Sequence, residues 1–304
     1  GETADMTQAI KIGLVTRDIA TREAVLRSLG LRAYDPAADA DAPALFVGVY
    51  EGADLAAVAR HRGPALVKFC GGDARDAAWS AGTLRELAAA RPHLRLLAGT
   101  PLRADCERHR LPIHVWRNVY IGDAVIFAPS EPPGRRVYTY CPRARAEEYG
   151  IGTIRAVAAE LPDVEFYVAR WGWDDSNGVR WGDKDRSAEL PFPNAVPLPA
   201  WLPQGQMPGI LADCFCGIRT VPRDGFSVGA TEVALMGRPV AHVTDMGVPW
   251  IEHAPTVEAL IGFVRRAWAE RGPEGEASRR ERRAAARALA EDRSWLNLES
   301  SVGP

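Results

Sequence analysis

Two acids frame the stretch of this chain whose residue types and spacing could do the most chemistry. Asp224-Gly-Phe-Ser-Val-Gly-Ala-Thr-Glu232 sets carboxylates eight positions apart around a Gly-Phe-Ser turn, and Val-Ala-Leu-Met-Gly237-Arg-Pro239-Val240 follows at once. A turn that opens a helix near Ser227 presents unpaired backbone N–H groups, which suit an anion. Asp224 then lies before the first helical turn and Glu232 one to two turns inside it, so both carboxylates can face one ligand carrying a phosphate and several hydroxyls. The plainer alternative is a strand-turn-helix unit punctuated by Gly225 and Gly237, with Pro239-Val240 opening the next buried strand.

Over its seventeen positions, 224–240, the segment resembles the donor-sugar motif of retaining glycosyltransferases with the B-type fold, in particular glycosyltransferase family 4, which contains sucrose synthases and mannosyltransferases. The family pattern reads Glu-Gly-Phe-(Gly/Ser)-x4-Glu and ends in Gly-x-Pro-Val; here Asp224 stands for the first Glu. The resemblance implies that Asp224 contacts sugar hydroxyls near the reacting centre. It gives the backbone of Gly225, Phe226 and Ser227 to sugar and phosphate, and Glu232 to the ribose. Leu202–Asp213 resembles the family's short helix before the donor strand, and Arg293-Ser-Trp295 the Phe-Ser-Trp that opens its last helix. The basic run 279–293 before that reads as a solvated helix face.

One departure stands out. After the first strand of the second domain the family carries an Arg and then a Lys, which neutralise the departing diphosphate. This chain has Cys141-Pro-Arg143-Ala-Arg145-Ala-Glu-Glu-Tyr149-Gly150, with Tyr149 where the Lys belongs. The resemblance therefore assigns catalysis to Arg143 and Asp224, and the missing charge to Arg145 or to a first-domain cation, Arg17 or Lys68. Thr16 and Arg17, at the end of the first strand, are expected to approach the donor phosphates. Gly72 and Asp73, in Phe69-Cys-Gly-Gly-Asp73, resemble a Gly-Ser-Asp turn on the acceptor side; Asp73 orients an acceptor hydroxyl or caps the following helix.

The elements that must hold these residues alternate along the chain. Strand patterns at 10–16, 44–50, 65–70 and 94–98 are interleaved with helical patterns at 21–29, 54–61 and 80–90, which is the signature of a parallel α/β sheet. A Pro-rich connection, Pro129-Ser-Glu-Pro-Pro-Gly134, precedes a second series: strand 136–140, helix 152–161, strand 164–169, a short helix at 209–212 and strand 213–218. The expected fold is α/β, two facing Rossmann-like doubly wound domains with the cleft between them. The expected bounds are 1–133 for an acceptor-side domain, 134–285 for a donor domain, and 286–304 for a C-terminal helix packing back on the first. The insert 171–199 carries Trp171, Trp173 and Trp181, which can stack on a ligand or simply close the sheet. Asp183 and Asp185 within it read as a solvated loop rather than a metal site.

Composition fits this reading. The chain has 304 residues, 47% of them hydrophobic, enough for two cores, and a formal charge of −2 that gives no global pull toward nucleic acid or anionic lipid. No apolar run reaches the roughly 18 residues of a membrane helix, and Gly1-Glu-Thr-Ala-Asp carries no basic stretch before an apolar core. Five cysteines without a CxxC pair read as buried, reduced thiols, and a cytoplasmic location is expected. The resemblance thus implies a metal-independent, retaining hexosyltransferase with no cofactor, its donor substrate a nucleotide diphosphate sugar and its partner a hydroxyl acceptor. Nucleic acid is not indicated but stays open as an acceptor. A nucleotide-sugar epimerase of the same fold and a non-catalytic nucleotide-sugar binder are the alternatives.

Overall fold

The computed structural model describes residues 9–16, 22–172, 190–199 and 202–297. The described chain divides into two compact units, one of Gly1–Asp123, Arg223–Phe226 and Leu289–Pro304, the other of Ala124–Pro222 and Ser227–Ala288.

In the first unit the strands are β1 (Ile12–Val15), β2 (Arg32–Ala33), β3 (Ala44–Val47), β4 (Ala65–Lys68), β5 (Leu94–Ala98) and β6 (Val115–Trp116), paired in parallel in the order β2-β1-β3-β4-β5-β6. Helices α1 (Arg22–Ser28), α2 (Gly52–Arg60), α3 (Gly72–Arg75), α4 (Ala81–Ala90) and α5 (Arg103–Arg108) make the crossovers. Strands β3 and β4 are buried along their whole length, which is why they read as continuous apolar runs rather than alternating ones. Leu45, Phe46, Leu66, Val67, Leu84 and Leu96 form the centre of this core.

The second unit holds β7 (Arg136–Tyr140), α6 (Ile151–Ala159), β8 (Phe166–Ala169), β9 (Ala195–Pro197), α7 (Met207–Ala212), β10 (Cys214–Arg219), α8 (Val228–Leu235), β11 (Val240–His242), β12 (Ile251–His253), α9 (Val257–Ala269) and α10 (Glu276–Glu291). Its sheet is also parallel, ordered β12-β11-β10-β7-β8-β9. Thr256 starts α9 by accepting from Ala259 N at 3.2 Å, and Leu260, Phe263, Val264 and Ala267 then turn one apolar stripe inward.

Residues 124–133 belong to the second unit, which begins at Ala124. Arginines hold them there. Arg287 Nη2 donates to the carbonyls of Ala124 and Phe127 at 3.2 and 2.9 Å, Arg238 Nη2 to Ser130 O at 2.6 Å, and Arg279 meets Glu131 through two bonds of 3.0 and 3.1 Å. The basic helix is therefore not a solvated face: Arg279 is buried, and Arg282 and Arg283 donate to the carbonyls of Gly237 and Leu235.

Nor does a helix open at Arg293-Ser294-Trp295. Helix α10 ends at Glu291, and Asp292 accepts from Ser294 N at 2.9 Å, folding residues 294–296 into a single 3-10 turn that buries Trp295. Within the first unit this turn is fixed by Arg293 Nη2 to Ser28 O at 3.2 Å, by Ile10 N to Leu296 O at 3.2 Å, and by an ion pair between Arg117 and Asp292. No helix among the described residues is long and apolar enough to cross a membrane.

His61 gives the first unit a pH dependence. Its ring is buried between Tyr34 and Phe46, with Nδ1 3.1 Å from the Tyr34 hydroxyl, and burial lowers its pKa below the ordinary 6.5. The folded unit keeps the ring neutral while the unfolded chain protonates it near its ordinary value. Stability is then complete above that value and lost as pH falls toward the depressed folded one. Melting curves between pH 7.5 and 5 should show this decline, and His61→Gln should flatten it.

Candidate functional site

In the first unit the connections of β1 and β3 leave in opposite directions, and ligands of open parallel sheets bind outside the carboxyl ends of the strands at such a point. Thr16 closes β1 there, its N–H bonding Val47 O at 3.0 Å and its hydroxyl donating to Asp54 Oδ2 at 2.8 Å. The same oxygen accepts from Tyr50 N and Glu51 N at 3.0 and 3.1 Å, so Asp54 ties the end of β1 to the start of α2. Thr16 is buried and its hydroxyl is engaged by this scaffold. Arg17 lies outside the described residues.

Asp73 is enclosed by backbone amides. Oδ1 accepts from Cys70 N, Gly71 N and Ala74 N at 2.9, 2.9 and 3.1 Å, and Oδ2 from Val49 N at 3.2 Å. With the side chain 2% exposed, this carboxylate shapes the Cys70–Gly72 loop. Burial raises its pKa, the backbone amides pulling the other way. Lys68 is also buried, its Nζ donating to Phe69 O at 3.2 Å. The described cysteines are free, and burial lifts the Cys70 and Cys141 thiols to about 11, far from thiolate chemistry.

The turn Arg223–Phe226 belongs to the first unit and packs backbone against backbone on this loop. A Cβ on Gly225 would overlap the Cys70 carbonyl and come within 3.3 Å of Gly71 Cα. Arg75 Nη1 adds a 3.4 Å bond to Arg223 O, and Asp224 is half-buried.

In the second unit Ser227 is the N-cap of α8, its hydroxyl oxygen accepting from Ala230 N at 3.3 Å. From Ala230 to Leu235 the helix is buried throughout, including Glu232, which is 5% exposed and accepts from Gln204 Nε2 at 2.7 Å. Burial, and then Glu232, push the Tyr138 phenol well above its ordinary value, so that hydroxyl stays protonated beside the carboxylate. The helix ends by a reciprocal pair: Arg238 N bonds Val233 O at 3.1 Å and Gly237 N bonds Ala234 O at 2.8 Å, with Gly237 left-handed at φ 78°. The Gly-x-Pro-Val end of the motif is thus a helix stop that launches β11.

The sheet order of the second unit puts its reversal between β7 and β10, and side chains gather at their carboxyl ends. Tyr140, Pro142, Arg143, Ala144, Arg145, Tyr149, Arg170 and Gly172 line a cavity of about 670 Å³. Among the described residues that lining contains three arginines and no acid. Arg219, at the end of β10, lays its guanidinium 4.4 Å from the Tyr140 ring centre and 5.4 Å from that of Tyr149. Thr220 Oγ1 donates to Tyr149 O at 2.7 Å, fixing the loop that carries this ring. Arg145 sits 5.3 Å from the same ring and pairs with Glu148 within its own turn. Arg170 Nη1 donates to the Tyr140 hydroxyl at 3.1 Å, and Arg143 N donates to Arg170 O at 3.1 Å, joining the turns after β7 and β8. Arg170 also has φ of 64°, a conformation that strains a non-glycine residue by about 1–2 kcal/mol.

The cavity lining brings Arg143 and Arg145 together with Tyr140 and Arg170, and Arg219 packs on its rings; motif spacing did not single out Tyr140, Arg170 or Arg219. Their only signal is position at the carboxyl ends of strands in a sheet whose order spacing cannot give. Gln204 was missed for the same reason. Among the described residues no group of three or more His, Cys, Asp and Glu is placed to hold a metal ion; Asp183, Asp185, Trp173 and Trp181 lie outside them.

No protein-family model matches the sequence, and no curated protein matches it. Solved structures do match. The sucrose-phosphate synthase of Thermosynechococcus elongatus aligns at TM-score 0.53 and 11% identity over 97% of this chain and 94% of that one. The UDP-forming α,α-trehalose-phosphate synthase of Burkholderia xenovorans, in complex with glucose-6-phosphate, aligns at 0.52 and 13% over 92% and 74%. The pneumococcal O-GlcNAc transferase GtfA, in complex with UDP and GlcNAc, aligns at 0.50 and 12% over 86% of this chain, which spans 57% of that protein's length. At such identities the likeness is one of fold. The chain is an α/β protein of two parallel-sheet units with the B-type glycosyltransferase fold.

Two glycines of the motif can be tested as structure. Gly225→Ala should destabilise by about 1–3 kcal/mol, because its Cβ has no room against the Cys70 carbonyl. Gly237→Ala should lose about 1 kcal/mol to its positive φ. Denaturant titration of both variants measures this.

Proposed function

We propose that the protein transfers a hexose from a nucleotide diphosphate sugar to a hydroxyl acceptor, with retention and without a metal ion. The observation that carries this reading is the arginine-lined cavity at the β7/β10 reversal of a B-type fold, whose cations and ring faces suit a diphosphate linked to a base and sugars. The named relatives support a uridine donor: one is UDP-forming, another is bound to UDP and GlcNAc.

In this reading Arg143 and Arg145 take the charge of the departing diphosphate, Glu232 holds the ribose with Gln204 fixing its rotamer, and Asp224 grips the sugar hydroxyls. The backbone of Gly225, Phe226 and Ser227 faces sugar and phosphate. Thr16 and Arg17 flank the donor, while Gly72 and the loop that Asp73 shapes serve the acceptor side. The C1–O bond to phosphate breaks as the acceptor oxygen bonds C1 on the same face, and the acceptor proton passes to the leaving phosphate oxygen. No covalent intermediate is required. The main contribution is stabilisation of departing negative charge, where one well-placed donor is worth about 3 kcal/mol.

Binding without turnover is the second reading, favoured by Tyr149 in the lysine position. Incubation with labelled UDP, GDP, ADP, TDP and CDP sugars and hydroxyl acceptors separates the two, since only the enzyme yields a glycosylated product. Transfer should persist in EDTA; complete loss restored by Mn²⁺ would sink the metal-independent mechanism.

The two acids should separate donor grip from chemistry. Glu232→Gln should weaken binding of the free nucleoside diphosphate, because an amide pairs with fewer ribose hydroxyls than a carboxylate. Asp224→Asn should leave that affinity nearly intact and lower transfer about a hundredfold, roughly 2.7 kcal/mol of transition-state stabilisation. Calorimetry with the diphosphate, paired with turnover of the full donor, reads both, and the reverse pattern would exchange the roles.

A further inference from the structure

A diphosphate in this cavity needs more than one cation, and the position at which the motif expects a lysine holds Tyr149. The candidates named from sequence do not fill the gap equally. Lys68 is buried in the first unit with its ammonium on the Phe69 carbonyl, and Arg145 already meets Glu148 within its own turn. Arg219 lies flat against the rings of Tyr140 and Tyr149 and is not part of the cavity lining.

Arg170 has the geometry that the others lack. It lines the cavity beside Arg143 and Tyr149. Its Nη1 donates to the Tyr140 hydroxyl at 3.1 Å, and its carbonyl accepts from Arg143 N at 3.1 Å, which ties the two arginines' backbones together. Its backbone is left-handed, φ 64°, at a place where glycine would be free of strain. A strained arginine at the carboxyl end of β8, facing a cavity lined by cations, is the kind of outlier that marks a ligand contact.

We propose that Arg170 supplies a further cation of the cavity, contacting a diphosphate directly beside Arg143 and Arg145. The ligand's class rests on the donor-binding reading above; the location rests on the cavity alone. The planar guanidinium fits this task, since it can give two parallel N–H bonds to neighbouring phosphoryl oxygens where an ammonium offers a point charge.

The test is calorimetry of the full chain with inorganic pyrophosphate. Arg170→Gly should weaken pyrophosphate at least tenfold while leaving the melting temperature unchanged or higher, because glycine relieves the left-handed backbone. Arg170→Lys should retain part of the affinity. Adding Tyr149→Lys to Arg170→Gly should recover much of what was lost, since it puts a cation back at the motif position. A purely structural Arg170 predicts the opposite, namely unchanged affinity in the folded glycine variant. That result overturns the proposal, as does a wild-type chain that ignores pyrophosphate or a double variant no better than the single one. Arg170-dependent pyrophosphate binding in a protein that turns over no nucleotide sugar would leave this inference standing and remove the glycosyl-transfer reading.

Discussion

The point where a parallel sheet reverses its winding governs the rest of this structure. In the second unit β7 lies beside β10 while the connections from each depart to opposite sides, which leaves a crevice at the strand ends between them. Tyr140 ends β7, Arg219 ends β10 and Arg170 follows β8, and their rings and guanidinium groups meet there because the sheet order brings those three ends together. The same constraint acts in the first unit, where the carboxyl ends of β1 and β3 are joined by Thr16, Asp54 and the backbone of residues 50–51. In each unit buried strands supply rigidity, and the polar side chains lie where the sheet stops.

The donor-like motif divides into parts with different physical duties. Its end is a helix stop, with Gly237 left-handed, Arg238 and Gly237 bonding back to Val233 and Ala234, and Pro239 leading into β11. Its start is a close approach, Gly225 against Cys70, which no side chain could make. Asp224 and Glu232 are its two carboxylates, Glu232 bonded by Gln204, while Ser227 caps α8. A motif match by itself cannot make this division, because a glycine required by a turn and a glycine required by a ligand look the same in sequence.

Strands and helices with long apolar runs were legible: β3, β4, β5, β7 and β10 fall where composition alone puts them, since a parallel strand buried on both faces has no alternation to obscure it. Short elements were not. Strand β12 has Ile251 buried and Glu252 and His253 exposed, too little apolar content to announce itself. The charge pattern of α10 misled for a different reason, since an arginine that donates to buried carbonyls and one that points to water share the same letter. Arg279, Arg282, Arg283 and Arg287 hold residues 124–131 and the end of α8 to the second unit, which moves the boundary upstream of the proline-rich stretch.

Tyr149 stands where the sequence resemblance leads one to expect a lysine. A lysine at that position would bring its own ammonium. The tyrosine ring instead lies 5.3 Å from the Arg145 guanidinium and 5.4 Å from that of Arg219, and the Tyr140 ring 5.5 Å away takes a hydrogen bond from Arg170 on its hydroxyl. Cation–π contacts of this kind contribute about 0.5–1 kcal/mol when exposed and more when desolvated, enough to hold guanidinium groups that would otherwise repel one another. Positive charge therefore gathers around a pair of aromatic rings, with Glu148 paired to Arg145. Three strand ends contribute to this cluster, which is why residue spacing in one loop alone could not reveal it.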